Sequence, residues 1–338
     1  MRIPLRQTLT VGAYVAKQRL KGNQRFPLVL ELEPLYQCNL ECAGCGKIQH
    51  PTDILRKRLS VQQCIDAVEE CGAPIVSIAG GEPLVHEEIG DIVEALVARK
   101  KFVYLCTNAL LMGRKLDAFK PSPYFAWMVH IDGLRERHDE SVCRPGTFDK
   151  AIEAIRAAKE RGFRVGTNTT FFDPDDAGSI RAVLDYLNDD LGVDLMEISP
   201  GFAYEKAPDQ EHFLGVERTR DIFRAAFAGD KRKKWRLNHS PLYLDFLEGK
   251  ADFQCTPWGI PSYSIFGWQR PCYLMADGGY AKSYRELLDE TDWSLYGRGR
   301  NPKCANCMAH CGYEPSAVLA TTQSVRESIR AGLNALAG

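Results

Sequence analysis

Six short apolar runs recur along the first 205 residues, and each one ends at polar residues or glycine. They are nearly continuous in apolar character and rich in Val, Ile and aromatic residues. That pattern is typical of strands buried on both faces of a parallel sheet. We therefore predict strands at residues 27–33, 74–80, 102–109, 125–132, 164–172 and 195–202.

Amphipathic segments separate several of these runs, at residues 60–71, 87–99 and 149–161. In the last segment Ile152 and Ile155 fall on one helical stripe, and Gly162 stands where a helix would end. Alternating strands and helices predict right-handed crossovers and a parallel sheet. Six units are too few for a closed eight-stranded barrel. We expect an α/β fold, either a partial barrel or an open sheet, with its site at the carboxyl ends of the strands.

Composition divides the chain into three parts. Residues 1–26 are basic and loosely amphipathic, residues 27–205 carry the strand–helix rhythm, and residues 206–338 lose it. No run of 18 apolar residues occurs, and the first residues lack the apolar stretch of a secretory signal. The 43 Lys and Arg residues balance 44 Asp and Glu residues, which argues against a nucleic-acid partner. We expect a cytoplasmic protein with reduced thiols.

Three of the 12 cysteines stand close together directly after the first predicted strand, as Cys38, Cys42 and Cys45. The spacing is C-x3-C-x2-C, which is not that of a zinc finger, and structural zinc generally takes four ligands. Unrelated core cysteines and a zinc site completed by His50 remain alternatives. Three thiolates suit a [4Fe–4S] cluster in which one iron lacks a protein ligand and is open to another chelator.

Other polar and glycine residues follow the later strands. Gly80, Gly81, Glu82 and Pro83 close the second strand, and Glu-Pro and Gly-Gly alone would be ordinary turn chemistry. Asn108 ends the third strand, His130 and Asp132 the fourth, and Asn168 the fifth. Together with the cysteine triplet, this pattern resembles the radical S-adenosylmethionine superfamily, in which the cysteine loop and a GGEP motif follow the first two strands of a partial (β/α)6 barrel.

That resemblance implies a [4Fe–4S] cluster held by Cys38, Cys42 and Cys45, with S-adenosylmethionine on the fourth iron. Gly80, Gly81 and Glu82 would bind the methionyl group, and Asn108, His130, Asp132 and Asn168 are further candidates for contacts to S-adenosylmethionine. Reduction would need an electron donor of the flavodoxin or ferredoxin type. This chain departs from the family at two of these positions, since relatives often carry TNG and S-L-D-G where it has Ala109 and His130.

Longer segments resemble one family more specifically, the adenosyl hopene transferases of hopanoid biosynthesis. These segments are PLVLELEPLYQCNLECAGCGKIQHP, VYLCTNALL, SPGFAYEKAPDQEHF, CTPWG…GWQRPCY and NPKCANCMAHCGYE. The resemblance implies addition of a 5′-deoxyadenosyl radical to the terminal alkene of diploptene, with S-adenosylmethionine consumed. The alternatives are a radical enzyme that abstracts hydrogen from a peptide or small molecule and, from another class, an iron–sulfur electron-transfer protein.

Radical addition leaves a tertiary carbon radical that needs a hydrogen atom, and a thiol is a good donor because its S–H bond is weak. Side chains alternate along a strand, so Cys106 shares a face with Asn108. We therefore expect Cys106 to be the hydrogen donor, against the alternative that it is a small buried hydrophobe.

A second group of cysteines lies in the last part of the chain. The C-x2-C spacing within it is a metal-site signal. The alternatives are an auxiliary iron–sulfur cluster, structural zinc, or thiols without a metal. The candidate ligands are Cys255, Cys272, Cys304, Cys307 and Cys311.

The proposed lipid substrate adds two expectations. An apolar pocket would use the aromatic stretch around Trp258, Tyr263, Phe266, Trp268 and Tyr273, although these residues also suit a module core. The basic amphipathic residues 1–26 would dock reversibly on anionic membrane lipid, giving peripheral attachment to the inner membrane surface.

Overall fold

A computed structural model describes residues 4–202, 204–275 and 278–322. Its centre is a nine-stranded sheet with the order β6-β5-β4-β3-β2-β1-β7-β8-β9. The strands are β1 (Val29–Glu33), β2 (Ile75–Ile78), β3 (Phe102–Thr107), β4 (Phe125–His130), β5 (Val165–Phe171), β6 (Leu195–Pro200), β7 (Ser262–Ser264), β8 (Gly267–Gln269) and β9 (Tyr280–Ala281). All six predicted strands are confirmed.

Neighbouring strands from β1 to β6 all pair in parallel, as strand–helix alternation predicts. One face of each strand packs into the main core beneath the helices, as Leu30, Val76 and Leu105 do. The opposite face carries Glu31, Ser77, Cys106 and other polar residues of the inner surface. The chain therefore forms the α/β partial barrel expected from the sequence.

Twelve α-helices lie in the described part of the chain. They are α1 (Leu5–Leu20), α2 (Thr52–Leu55), α3 (Val61–Cys71), α4 (Ile89–Ala98), α5 (Met112–Lys115), α6 (Arg135–Ser141), α7 (Thr147–Glu160), α8 (Ala177–Asp185), α9 (Val216–Ala226), α10 (Pro241–Leu247), α11 (Tyr284–Glu290) and α12 (His310–Thr321). The predicted helices correspond to α3, α4 and α7. Helix α3 shows why, because Ser60 and Gln63 form a capping box at its start and left-handed Gly72 ends it.

Helix α1 closes the amino-terminal end of the barrel. The Gln7 amide and the Tyr104 hydroxyl hydrogen-bond at 2.8 Å, and Gln7 is buried. Val11 packs against the inner residues of β3 and β4, and Val15 is in a small core with Phe26. Part of the apolar stripe expected to meet a membrane therefore packs against the protein itself.

The last part of the chain continues the sheet. Strand β7 pairs in parallel with β1, and β8 and β9 follow as antiparallel strands. Trp268 on β8 is fully buried and donates a hydrogen bond to Glu70 at the end of α3. The parts of the chain before and after residue 205 therefore contribute strands to the same sheet. No helix among the described residues is both long and apolar enough to span a membrane.

Candidate active site at the carboxyl end of the barrel

The cysteine loop leaves β1 and runs along the carboxyl edge of the sheet. Cys38, Cys42 and Cys45 are all free and partly accessible. The loop backbone is fixed by the turn after β2, because the amide of Gly81 donates to the Leu35 carbonyl and that of Glu82 donates to the Gln37 carbonyl, both at 2.9 Å.

Gly80 and Gly81 are required for this close contact. Gly80 has φ +102°, and a β-carbon there would lie 2.3 Å from the Leu35 oxygen. A β-carbon on Gly81 would lie 2.2 Å from the Gln37 oxygen. Any larger residue would push the cysteine loop away. The expectation that these glycines make room for a methionyl group remains a prediction, since the structure shows them making room for the loop.

The cysteine sulfurs are surrounded by backbone N–H groups. The Leu40 amide lies 3.4 Å from Cys38 Sγ, and the Lys47 and Ile48 amides donate to Cys45. Burial raises the pKa of the Cys38 thiol to about 11, although the Leu40 and Asn39 amides oppose the rise. Backbone N–H groups directed at sulfur stabilise thiolate ligands and are a recurrent feature of iron–sulfur sites. The loop therefore fits a [4Fe–4S] cluster.

Glu82 connects the ends of β2 and β3. Its buried carboxylate accepts from the Leu84 amide at 3.0 Å and from the Thr107 hydroxyl and the Asn108 amide at 2.8 Å. Burial raises the pKa of Glu82 despite these three donors. Carboxylate oxygens offer about four acceptor positions, so one is left for a substrate ammonium.

Asn108 extends this connection to the cysteine loop. Its Nδ2 donates to Asn39 Oδ1 at 2.7 Å and lies 3.9 Å from Cys38 Sγ. The side chain predicted at the strand end is therefore beside the candidate cluster.

Half-buried His130, the last residue of β4, pairs with buried Asp132 just after the strand, with 2.8 Å between Nε2 and Oδ2. Asp132 also accepts from the Ser141 hydroxyl at 2.6 Å and the Thr170 amide at 2.9 Å. Burial acts to raise the pKa of Asp132, but His130 and these donors together lower it. The same carboxylate raises the pKa of His130 against the effect of burial. Asn168 lies opposite His130 in the sheet register.

Lys47 is a site residue that the sequence did not reveal. Its Nζ lies 2.6 Å from Glu33 Oε1 and faces the rings of Tyr36, Tyr204 and Tyr273 at 5.8, 5.9 and 4.9 Å. Cation–π contacts stabilise a buried ammonium. In the sequence, Lys47 is marked only by its position two residues after Cys45, and no motif spacing assigns a role to a lysine there.

Cys106 lies on the inner face of β3, one inward position below Asn108, and is partly accessible. Its Sγ is 3.6 Å from Ser77 Oγ. Burial raises the pKa of Cys106, and the nearby carboxyls of Glu31 and Glu197 raise it further. The thiol is therefore protonated at neutral pH.

The five cysteines of the last part of the chain share one cavity, whose other lining residues are mainly apolar but include Lys303. The Leu274 and Met275 amides donate to Cys272, and the Ala309 amide donates to Cys307. This repeats the N–H···S pattern of the first loop. Among the described residues, no group of three or more His, Cys, Asp or Glu side chains is placed to hold a metal ion. A tight zinc site, with sulfurs about 2.3 Å from one metal, is thus preformed neither here nor at Cys38, Cys42 and Cys45.

The aromatic stretch does not act as one surface. Trp268 and Tyr263 pack on each other away from the loop, and Trp258 packs on Trp293. Phe266 and Tyr273 do approach the site, beside His50 and Tyr204 respectively.

Comparison with known families agrees with this geometry. Residues 32–187 match the model of the radical SAM superfamily, so the chain carries a radical SAM domain. Residues 196–331 match a domain of unknown function, DUF3463, whose range includes β6. A radical SAM domain implies a [4Fe–4S] cluster and S-adenosylmethionine as its cofactors, and enzymes with this domain take electrons from a reductant such as flavodoxin or ferredoxin.

Two curated relatives and one solved structure define the similarity further. GTP 3′,8-cyclase of Clostridium perfringens is 26% identical over 229 residues, which cover 64% of this chain and 69% of the cyclase. Mycofactocin maturase MftC of Mycolicibacterium smegmatis is 30% identical over 141 residues, covering 40% and 36% of the two chains. Streptococcus suis SuiB bound to S-adenosylmethionine superposes with a TM-score of 0.66 at 18% identity, covering 92% and 77%. None of these three is a hopene transferase, so that closer resemblance rests on sequence segments alone.

Proposed function

We propose that this protein is a radical SAM enzyme that adds the 5′-deoxyadenosyl group to the terminal alkene of hopene. The reduced cluster, when bound, supplies the electron that cleaves S-adenosylmethionine. In this proposal Cys38, Cys42 and Cys45 hold the cluster, Glu82 accepts from the methionyl ammonium, and Asn108 orients the cysteine loop.

The observation that carries the proposal is the position of Cys106. It places a protonated thiol on the inner face of the barrel, directly below the residue that contacts the cysteine loop. An enzyme that adds a radical to an alkene must deliver a hydrogen atom at the end, whereas one that only abstracts hydrogen has no such requirement. Phe172 and Phe213 beside Gly44 add apolar surface suited to a hydrocarbon substrate.

A second candidate is hydrogen abstraction from a peptide or another polar substrate. Two observations favour it. SuiB has also been solved with a precursor peptide, and it shares the fold at a TM-score of 0.65. The inner surface also carries partly buried carboxyl groups, Glu31 and Glu197, which a purely hydrocarbon substrate does not need.

Product analysis separates the two candidates. The reconstituted protein is incubated without oxygen with diploptene, S-adenosylmethionine and a reductant, and products are analysed by mass spectrometry. The proposal predicts adenosine covalently attached to the lipid. Free 5′-deoxyadenosine as the only nucleoside product, with the lipid unchanged, would favour the second candidate.

Cys106→Ala tests the hydrogen donor in the same assay. We expect methionine release to continue while saturated adducts are lost, because the product radical is no longer quenched. The matched control is Cys64→Ala, which removes a buried core thiol away from the barrel interior. Full yield of saturated product from Cys106→Ala would refute the donor role.

An auxiliary cluster on the five later cysteines and peripheral membrane contact are part of the proposal. The cavity shared by the five cysteines supports the cluster over zinc, because no tight zinc site is preformed among the described residues. Exposed Leu9 and Leu20, with exposed Lys17 on the same helix, support weak docking on anionic lipid. Liposome flotation at low salt tests docking. Absence of the protein from the lipid fraction would contradict the proposed membrane contact.

A further inference from the structure

Three neighbouring strands place an acid, a hydroxyl and a thiol in one row on the inner face of the barrel. Glu31 on β1 pairs in register with Ser77 on β2, so the two side chains are neighbours on the inner face, and Ser77 acts to lower the pKa of the Glu31 carboxyl group. Ser77 Oγ in turn lies 3.6 Å from Cys106 Sγ on β3. The row continues from a carboxyl group, through one hydroxyl, to the sulfur.

The two ends of this row have the protonation states that a proton transfer needs. Burial raises the pKa of Glu31 to about 8, and repulsion from Glu33 adds to the rise against the opposing effects of Lys47 and Ser77. Glu31 is therefore mostly a neutral acid at pH 7. Burial also raises the pKa of Cys106, so a thiolate formed there would be a strong base.

We propose that Glu31, acting through the Ser77 hydroxyl, returns a proton to Cys106 after each turnover. This inference rests on the proposed function, because only a hydrogen-donating Cys106 needs to be restored. Glu31 and Ser77 are positioning residues in this scheme, and the sulfur of Cys106 is the reacting atom.

The step balances with one electron and one proton. The S–H bond of Cys106 breaks homolytically, a C–H bond forms on the product, and a thiyl radical remains on Cys106. One electron from a flavodoxin- or ferredoxin-type donor reduces the thiyl radical to a thiolate. The thiolate takes the Ser77 proton while Ser77 takes that of Glu31, and solvent water then reprotonates the Glu31 carboxylate. Each product therefore consumes two electrons, one for S-adenosylmethionine cleavage and one for Cys106.

The test compares the first turnover with the turnovers that follow. Glu31→Gln keeps the size and hydrogen-bonding capacity of the side chain but supplies no acidic proton. Ser77→Ala removes the hydroxyl, and Ser77→Thr keeps it. Rapid-quench measurement of adenosylated product gives the burst and the steady state separately, and methionine release reports whether the cleavage chemistry survives.

We expect Glu31→Gln and Ser77→Ala to form about one product per chain at a rate close to that of the wild type. Their steady-state rate should then fall by about tenfold or more, as expected when a general acid is lost. Ser77→Thr should recover most of the steady-state rate lost in Ser77→Ala.

The other outcomes overturn the inference in distinguishable ways. Unchanged steady-state turnover in Glu31→Gln would exclude the proton route and leave the proposed function intact. A burst lost together with the steady state would show that Glu31 only shapes the site. A wild-type protein that cleaves S-adenosylmethionine yet forms no lipid adduct would remove the proposed function and, with it, the inference.

Discussion

The backbone amide of Asn108 donates to the Glu82 carboxylate at 2.8 Å, so one buried side chain joins the ends of two neighbouring strands. The same Asn108 reaches the cysteine loop through Asn39. The two residues therefore link the turn after β2, the end of β3 and the candidate cluster into one unit.

Glu82→Gln should destabilise this unit. A glutamine has one acceptor oxygen, so at least one of the three donors to Glu82 faces an amide N–H₂ group instead. Loss of a buried hydrogen bond to a charged group costs about 1.5–3 kcal/mol. The free energy of unfolding, measured by denaturant titration without oxygen, should fall by that amount.

The comparison variant for Glu82→Gln is Thr107→Val, which removes one donor to the carboxylate and also the acceptor of the Ala109 amide. Because Thr107→Val keeps the carboxylate itself, S-adenosylmethionine binding should weaken more in Glu82→Gln. Equal weakening of binding in the two variants would contradict the central role given to the carboxylate.

Cys38→Ala should remove the first cluster. With three ligands reduced to two, we expect the reconstituted protein to lose about four irons per chain, the content of one [4Fe–4S] centre. Cys143→Ala is the sharp control, because Cys143 is exposed and near enough to Cys42 to affect its pKa. Iron content should not change in that variant. Comparable iron loss would identify Cys143 as a fourth ligand. The fourth iron would then have no free position for S-adenosylmethionine, which would contradict the proposal.

Cys307→Ala tests the second group of cysteines. If the five cysteines hold an auxiliary cluster, the wild-type protein should contain about eight irons per chain and the variant about four. Cys64→Ala serves as control, since it also removes a buried thiol but lies outside both groups. About four irons in the wild type would exclude a second [4Fe–4S] centre, and zinc in the metal analysis would assign the cavity to zinc.

The raised pKa of Glu31 predicts that the free energy of unfolding decreases as the pH rises. Its folded-state pKa of about 8 lies above the unfolded value, so the folded state holds a proton that the unfolded state has released. The contribution of this group to stability is present at low pH and is lost as pH rises towards 8. The groups that face it are Glu33 on the same strand, Ser77 on β2, Glu197 on β6 and Lys47 in the cysteine loop.

The measurement is the free energy of unfolding of the holoprotein between pH 6 and pH 8. Relative to Glu31→Gln, the wild type should lose at most about 1.4 kcal/mol per pH unit. Glu153→Gln, on the exposed face of α7, should follow the wild type. Parallel pH curves for the wild type and Glu31→Gln would show that Glu31 is already ionised.

The sequence predicted the sheet because buried parallel strands leave a continuous apolar signal that needs no knowledge of distant residues. That signal predicted all six strands and three main helices. The cysteine spacing predicted the position of the cysteine loop. Strands β7 to β9 were not predicted, because two or three residues carry no measurable periodicity.

Long-range contacts account for what else the sequence missed. The pairing of Lys47 with Glu33 and the closure of the barrel by Gln7 each join residues with no local pattern between them. The glycines of the turn after β2 were recognised, but the loop that they accommodate was not. The aromatic stretch was predicted as one surface, whereas β7 and β8 direct its side chains to different parts of the core.

Release of methionine from S-adenosylmethionine tests the radical chemistry most directly. The protein is reconstituted with iron and sulfide without oxygen, reduced with dithionite, and assayed for methionine by mass spectrometry, with Cys38→Ala beside it. We predict reductant-dependent methionine release by the wild type and none by the variant. An iron-loaded, reduced wild-type protein that leaves S-adenosylmethionine intact would contradict the account.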